Sequence, residues 1–176
     1  MMYRKTNLLL VALFLLFTYP LFSQDGMKFQ DQYQVKIGKS KSPIKIDGIL
    51  DEAGWADAEE AKDFHMKWPN DIGRPTRNTF VKITHDDHFI YFGIKAIDTN
   101  YYIAQTLKRD QGIYESDAIS IAIDPVNQRT NGFLFSITPY NVQTEELVNV
   151  GAPSEELSFS WDNKWFSATS RHPTYW

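Results

Sequence analysis

Residues 79–97 restrict the possible folds more than any other stretch. Val81 and Ile83 alternate with Lys82 and Thr84. After His85-Asp86-Asp87-His88, the alternation resumes with Ile90, Phe92, Ile94 and Ala96 on one face and Tyr91, Gly93 and Lys95 on the other. A period of two on both sides of a short polar segment predicts a β-hairpin. A lone hairpin cannot bury its apolar face, so the rest of the chain has to bring more strands. Ile119, Ile121 and Ile123 fall on one face of a further strand, and Ala118, Ser120 and Ala122 on the other. That second face is small and polar, which leaves room for something to lie over it. Gly132 precedes an apolar run from Phe133 to Thr138, and Asn141 opens a strand that runs to about Val150. Shorter strands are expected at Val35–Ile37, Ile44–Ile46 and Ile103–Lys108. The expected class is all-β: an antiparallel, jelly-roll-like β-sandwich.

Ile44–Trp55 supplies the one expected helix. Ile44 and Ile46 read as a short strand, and Asp47-Gly48 as a tight turn in which glycine accepts positive φ. Asp51 stands where an N-cap would, which predicts a short helix near 51–60. Trp55 comes one turn later, placed to fold back as a core aromatic.

Residues 1–23 are set apart from the fold. Arg4 and Lys5 form a basic start, and Leu8–Phe17 is an unbroken apolar run that ends before Pro20. The run is shorter than the roughly 18–20 residues that span a bilayer, so it reads as a secretory signal cleaved after Ser23. With no cysteine, a lipid anchor on cysteine is excluded, and stability has to come from a core or from metals. Residues 24–42 are a polar lead-in, and 43–176 form the sandwich. Without the leader, 16 basic side chains face 22 acidic ones. A mildly acidic domain lacks the basic face needed to displace counterions from nucleic acid, so no nucleic-acid partner is expected.

The residues offer few catalytic or metal constellations. His85-Asp86-Asp87-His88 contains ligand-type side chains, but a hairpin turn gives them little rigid convergence, so they read as a solvated turn and not as a zinc site. Asp47, Asp51, Asp86, Asp98, Asp117 and Asp124 are possible oxygen donors for calcium, yet no spacing among them matches a calcium loop. Glycoside hydrolysis needs two carboxyls roughly 5–9.5 Å apart across a cleft. Asp117 and Asp124 lie on one strand, about 23 Å apart at strand rise. Glu145 and Glu146 are neighbours that face opposite ways on a strand. No enzyme is expected. Trp68 sits before Pro69 in an extended loop, placed either as a sugar platform or as a plug over a sheet edge.

Five motifs occur in order: I-D-G-x-x-D-E-x-x-W at 46–55, H-D-D-H-F-I-Y-F-G-I at 85–94, E-S-D-A-I-S-I-A-I-D-P at 115–125, N-G-F-L-F-S-I-T-P at 131–139 and W-D-N-K-W at 161–165. Together they resemble family 9 carbohydrate-binding modules, in the version found at the N-terminus of large bacterial outer-membrane-associated proteins. The resemblance implies an antiparallel sandwich, binding of a poly- or oligosaccharide, and structural calcium. It implies export to the periplasm or cell surface, and a possible outer-membrane barrel partner. Modules of this type hold a sugar between two tryptophans, with a carboxylate and a guanidinium nearby. Carried over by position, the first tryptophan falls on Tyr114, the carboxylate on Ser120 and the guanidinium near Ser136. The second tryptophan has no counterpart before Trp176, and the resemblance implies a module that is C-terminally incomplete. Tyr114 as an aromatic packed on the sheet rim is the competing reading.

Overall fold

The computed structural model describes residues 33–67, 72–98, 101–111, 113, 115–149 and 156–176. The expected leader at 1–23, Trp68 and Tyr114 lie outside the described residues.

Among the described residues, eight strands form two four-stranded sheets. In the first, β3 (Thr79–His85) and β4 (Ile90–Ala96) make the expected hairpin, with Ile83 opposite Phe92 and Val81 opposite Ile94. Asp86 holds its turn: Oδ1 accepts the N–H of His88 at 2.7 Å and of Phe89 at 2.8 Å, and Oδ2 accepts the Tyr91 hydroxyl at 2.6 Å. The far side of β3 carries two short strands, β1 (Gly38–Lys39), parallel to it, and β2 (Glu60–Ala61), antiparallel. The second sheet runs β5 (Ile119–Ile123), β6 (Asn131–Ile137), β7 (Gln143–Asn149) and β8 (Glu156–Ser158), every neighbour antiparallel. The architecture is an all-β sandwich.

Four local expectations are corrected. The first strand forms at Gly38–Lys39 and not at Val35–Ile37, because the free end of β3 takes it up there: the Thr84 hydroxyl donates to Gly38 O at 2.9 Å, and Ser40 N–H to His85 O at 2.8 Å. Ile44–Ile46 is not a strand, since the Lys45 N–H is taken by the Glu52 carboxylate at 3.1 Å. The helix near 51–60 shrinks to a single 3-10 turn, Ala53–Trp55, with Glu52 rather than Asp51 preceding it. Glu52 makes no cap; its other oxygen accepts the Trp55 indole N–H at 3.0 Å, and the chain then leaves to pair as β2. Ile103–Lys108 is a loop whose polar groups are satisfied by side chains: Ile103 N–H donates to Asp117 at 2.7 Å and Gln105 N–H to Ser116 Oγ at 3.1 Å.

Trp55 is buried, as a core aromatic should be. It lies over Gly93, where a Cβ would stand 3.0 Å from its ring. Gly48 has φ +82° and lies so close to the 169–170 backbone that a Cβ would come within 2.7 Å of Thr169 C. The Ser170 hydroxyl donates to Gly48 O at 2.6 Å and fixes that approach. Asp47-Gly48 thus joins the front of the domain to its last segment, more than a hundred residues on.

Candidate functional site

The register of the second sheet sets Ser120, Ser136 and Thr144 side by side across β5, β6 and β7. The Ser120 and Ser136 hydroxyls lie 2.8 Å apart. Thr144 Oγ1 donates to the Gln111 carbonyl at 3.4 Å. Ser120 and Ser136, the positions on or near which the resemblance would carry a carboxylate and a guanidinium, are thus direct cross-strand neighbours, and each holds a hydroxyl. Ser120 is exposed at the sheet edge, whereas Ser136 is 1% exposed. Residues flanking position 114 are braced: Ser116 N–H donates to Ile113 O at 2.8 Å, and Asp117 N–H to Ile103 O at 2.8 Å.

One row along on the same face, Glu146 stands opposite Leu134. It is 2% exposed, and its Oε2 has no hydrogen-bond partner. Burial pushes this carboxyl above its ordinary range, with no opposing contact. In the sequence Glu146 is legible only as an acid within a strand, beside Glu145.

Its neighbour Glu145 points to the other face, where it is as buried but fully paired. Arg109 donates to one oxygen, and the Trp165 indole N–H to the other at 3.0 Å. Burial pushes Glu145 up, but the Trp165, Arg109 and Asp162 contacts outweigh it and hold the carboxyl below its ordinary range. The Arg109 guanidinium also reaches Asp162 at 3.3 Å and Gln143 at 3.4 Å. It lines a shallow depression of about 300 Å³ with Leu107, Tyr140, Asn141 and Gln143. Trp161 packs tilted against Phe133, ring centroids 4.5 Å apart, and Trp165 meets Phe135 edge-on at 5.4 Å. W-D-N-K-W is thus a clamp on β6, with its charged centre exposed. Arg109 escaped sequence reading because its partners lie 36 and 53 residues away.

The acidic residues considered for calcium are engaged otherwise. Asp47 pairs with Lys45 at 2.8 Å and accepts Ile49 N–H at 3.0 Å; Asp98 pairs with Arg77; Asp124 accepts Val126 and Arg129 N–H at 3.1 and 2.7 Å. Asp86 and Asp117 cap backbone as described, and Asp51 is exposed. Among the described residues no three His, Cys, Asp or Glu side chains gather as a metal shell, so these carboxylates do not fit a calcium site. Glu145 and Glu146 lie on opposite faces of β7 and do not make a pair across one cleft.

Comparison with known families gives one match, the carbohydrate family 9 binding domain-like model, over residues 46–172. No curated protein and no solved structure matches the chain. The matched stretch runs from the Asp47-Gly48 turn through both sheets to the segment that closes on it, more than two thirds of the sequence. The chain belongs to the carbohydrate family 9 binding domain-like family.

Proposed function

We infer that this protein is a non-catalytic carbohydrate-binding module, exported to the periplasm or cell surface and serving a larger surface system for polysaccharide use. The observation that carries this reading is the family membership over residues 46–172. A module of this kind has no catalysis of its own, and the separated faces of Glu145 and Glu146 agree with that. The basic start and apolar run at 1–23 support export. The seat for a saccharide is the edge of the second sheet: the exposed Ser120 hydroxyl, backed by Ser136, with Tyr114 as the ring against which a pyranose lies. Sugar rings present C–H faces to an aromatic and hydroxyls to a few fixed polar partners. Trp68 is the second candidate ring.

The test is titration calorimetry of the full chain against xylo-, cello-, manno- and malto-oligosaccharides. Binding of at least one series is expected, weakened about ten-fold or more by Tyr114→Ala, a loss of about 1.4 kcal/mol. No heat with any series, or binding indifferent to Tyr114→Ala, would overturn the reading.

One observation favours a second reading. Ser136 and Thr144 are 1% and 0% exposed, so most of this polar face is already filled. A docking domain for an outer-membrane barrel, with the sugar seat lost, accounts for that burial. It predicts no saccharide binding, together with retained association to the barrel partner.

A further inference from the structure

The turn between β6 and β7 is held more firmly than a solvent-facing connection requires. The hydroxyl of buried Thr138 accepts the N–H of Tyr140 at 3.3 Å and of Val142 at 3.2 Å. Thr138 N–H donates to Val142 O at 3.1 Å, and Asn141 N–H to Thr138 O at 3.0 Å. Asn141 has φ +60°, a left-handed conformation that asparagine tolerates. Pro139 is fully buried, and its carbonyl accepts the Thr169 hydroxyl at 3.0 Å. Tyr140 nevertheless stays 42% exposed on this fixed turn. The Arg171 guanidinium covers one side of its ring, 4.3 Å from the centroid. The other side and the edge are what the ring offers a ligand.

Beside the ring, hydrogen bonds run in one direction. Arg109 Nη1 donates to Gln143 Oε1 at 3.4 Å, Gln143 Nε2 to Ser167 Oγ at 2.7 Å, and Ser167 Oγ to Asn141 Oδ1 at 2.9 Å. Each bond polarises the next, and the relay fixes the direction of both amides. It ends on Asn141 Nδ2, whose hydrogens meet no acceptor among the described residues. Arg109 keeps a second Nη1 hydrogen, and Gln143 Oε1 a second lone pair. Tyr140, Asn141, Gln143 and Arg109 line the depression of about 300 Å³, with Leu107 as its apolar wall. Space of this size lies at the lower end of ligand pockets and takes one sugar ring, not a run of them.

Charge narrows the ligand further. Arg109 is already shared by Asp110 at 3.3 Å, Glu145, and Asp162 at 3.3 Å. An anionic ligand would have to displace one of these carboxylates. Arg171 sits against Tyr140 but is not part of the lining. A neutral ligand disturbs no ion pair. The groups left over call for a C–H face against the ring and neighbouring hydroxyls, which accept from Asn141 or Arg109 and donate to Gln143.

We propose that this depression is a second saccharide seat, for a single neutral pyranose unit. It lies on the Gln143–Glu145 side of β7, opposite the side that carries Ser136 and Thr144, and shares with the first seat only the class of ligand. Because Arg171 already holds part of the ring, it is the weaker of the two. Seats on opposite sides let one module hold two glycan chains, which raises its avidity for a polysaccharide without further contacts.

The full chain, ¹⁵N-labelled, is titrated with cellobiose, xylobiose, mannobiose, maltose and digalacturonic acid. With at least one neutral disaccharide, the side-chain amides of Asn141 and Gln143 and the backbone amide of Tyr140 should shift and saturate, in the parent and in Tyr114→Ala alike. Tyr140→Ala should erase these shifts and leave those at Ser120 in place, which also shows that the variant is folded. Asn141→Asp keeps the left-handed turn but removes the donors, and should weaken this site ten-fold or more. No shift at Asn141 and Gln143 with any neutral disaccharide overturns the proposal. So do shifts there that survive Tyr140→Ala, or tighter binding of digalacturonic acid than of every neutral sugar. Shifts at Asn141 without any at Ser120 would support this seat and count against the first.

Discussion

The two faces of the second sheet invert the usual distribution of apolar and polar residues. One carries Ser120, Ser136, Thr144 and Glu146, and inward of its exposed β5 edge it is closed: Thr144 is 0% and Glu146 2% exposed. The other carries Ile119, Ile121, Phe133 and Phe135 and opens on a cleft of about 630 Å³ between the sheets, whose rim leaves Ile90 60% and Phe166 58% exposed. The closed face is satisfied by hydroxyl pairs and by the 111 carbonyl, except at Glu146. Among the described residues, Trp161 and Trp165 cover the part of the open face near β6. Polar surface buried this completely marks a face already committed to its own chain, exposed along its β5 edge at Ser120 and Ala122.

The largest effect is expected where the open side is anchored. Gly48→Ala places a Cβ within 2.7 Å of backbone at positive φ, and should cost on the order of 3 kcal/mol in denaturant unfolding. A loss under about 1 kcal/mol would mean that the 47–48 and 169–170 segments are not held together.

Next is the paired glutamate. Arg109→Ala leaves Glu145 buried beside Trp165 without its cation, and should cost roughly 2–3 kcal/mol at neutral pH, below the fully buried range because Arg109 is itself half exposed. Glu145 is held below its ordinary value of 4.5 in the fold, so its contribution is present above that pH and is lost as pH falls below it. The variant should therefore approach the parent in stability in acid.

Glu146 should behave in the opposite sense. Its carboxyl is raised in the fold, so between its unfolded value of 4.5 and its folded value the native state binds the extra proton. Stability from this residue therefore falls as pH rises through that window. Glu146→Gln should gain about 1 kcal/mol at neutral pH and nothing below pH 4.5, read from paired melts. A loss at neutral pH would mean that the face holds a partner for the carboxylate.

The smallest effect belongs to the hairpin turn, outside both faces. Asp86, held at about 2 first by the Tyr91 hydroxyl and then by the His88 and Phe89 N–H groups, supports the fold above 3.8, and that support is lost as pH falls toward 2. Asp86→Asn should flatten this acid limb alone.

The hairpin was legible because alternation and turn chemistry are local. Val81, Ile83, Phe92 and Ile94 fell into register as their pattern demands; β5 followed from the same period, and β6 and β7 from an apolar run after Gly132 and a strand start at Asn141. The short helix near 51–60 formed as a single 3-10 turn, Ala53–Trp55, because Glu52 spends its carboxylate on Lys45 and Trp55, a competition that propensity does not register. Gly38–Lys39 and Glu60–Ala61 became strands only because β3 offered an edge, a tertiary cause invisible in either dipeptide. At the site, position led to Ser120 and Ser136, and the register sets them together. Arg109 with Glu145, and the lone Glu146, depend on contacts across the chain and had no signal in spacing.

The most direct test maps saccharide onto these two faces. Amide chemical shifts of the ¹⁵N-labelled full chain, recorded with the tightest-binding oligosaccharide from calorimetry, should move at Ser120, Ser136 and the residues flanking Tyr114. Ile90, Phe92 and Ile94 should stay still. Shifts confined to the β4 edge and the cleft, or none anywhere, would contradict a sugar seat on the polar side of the second sheet.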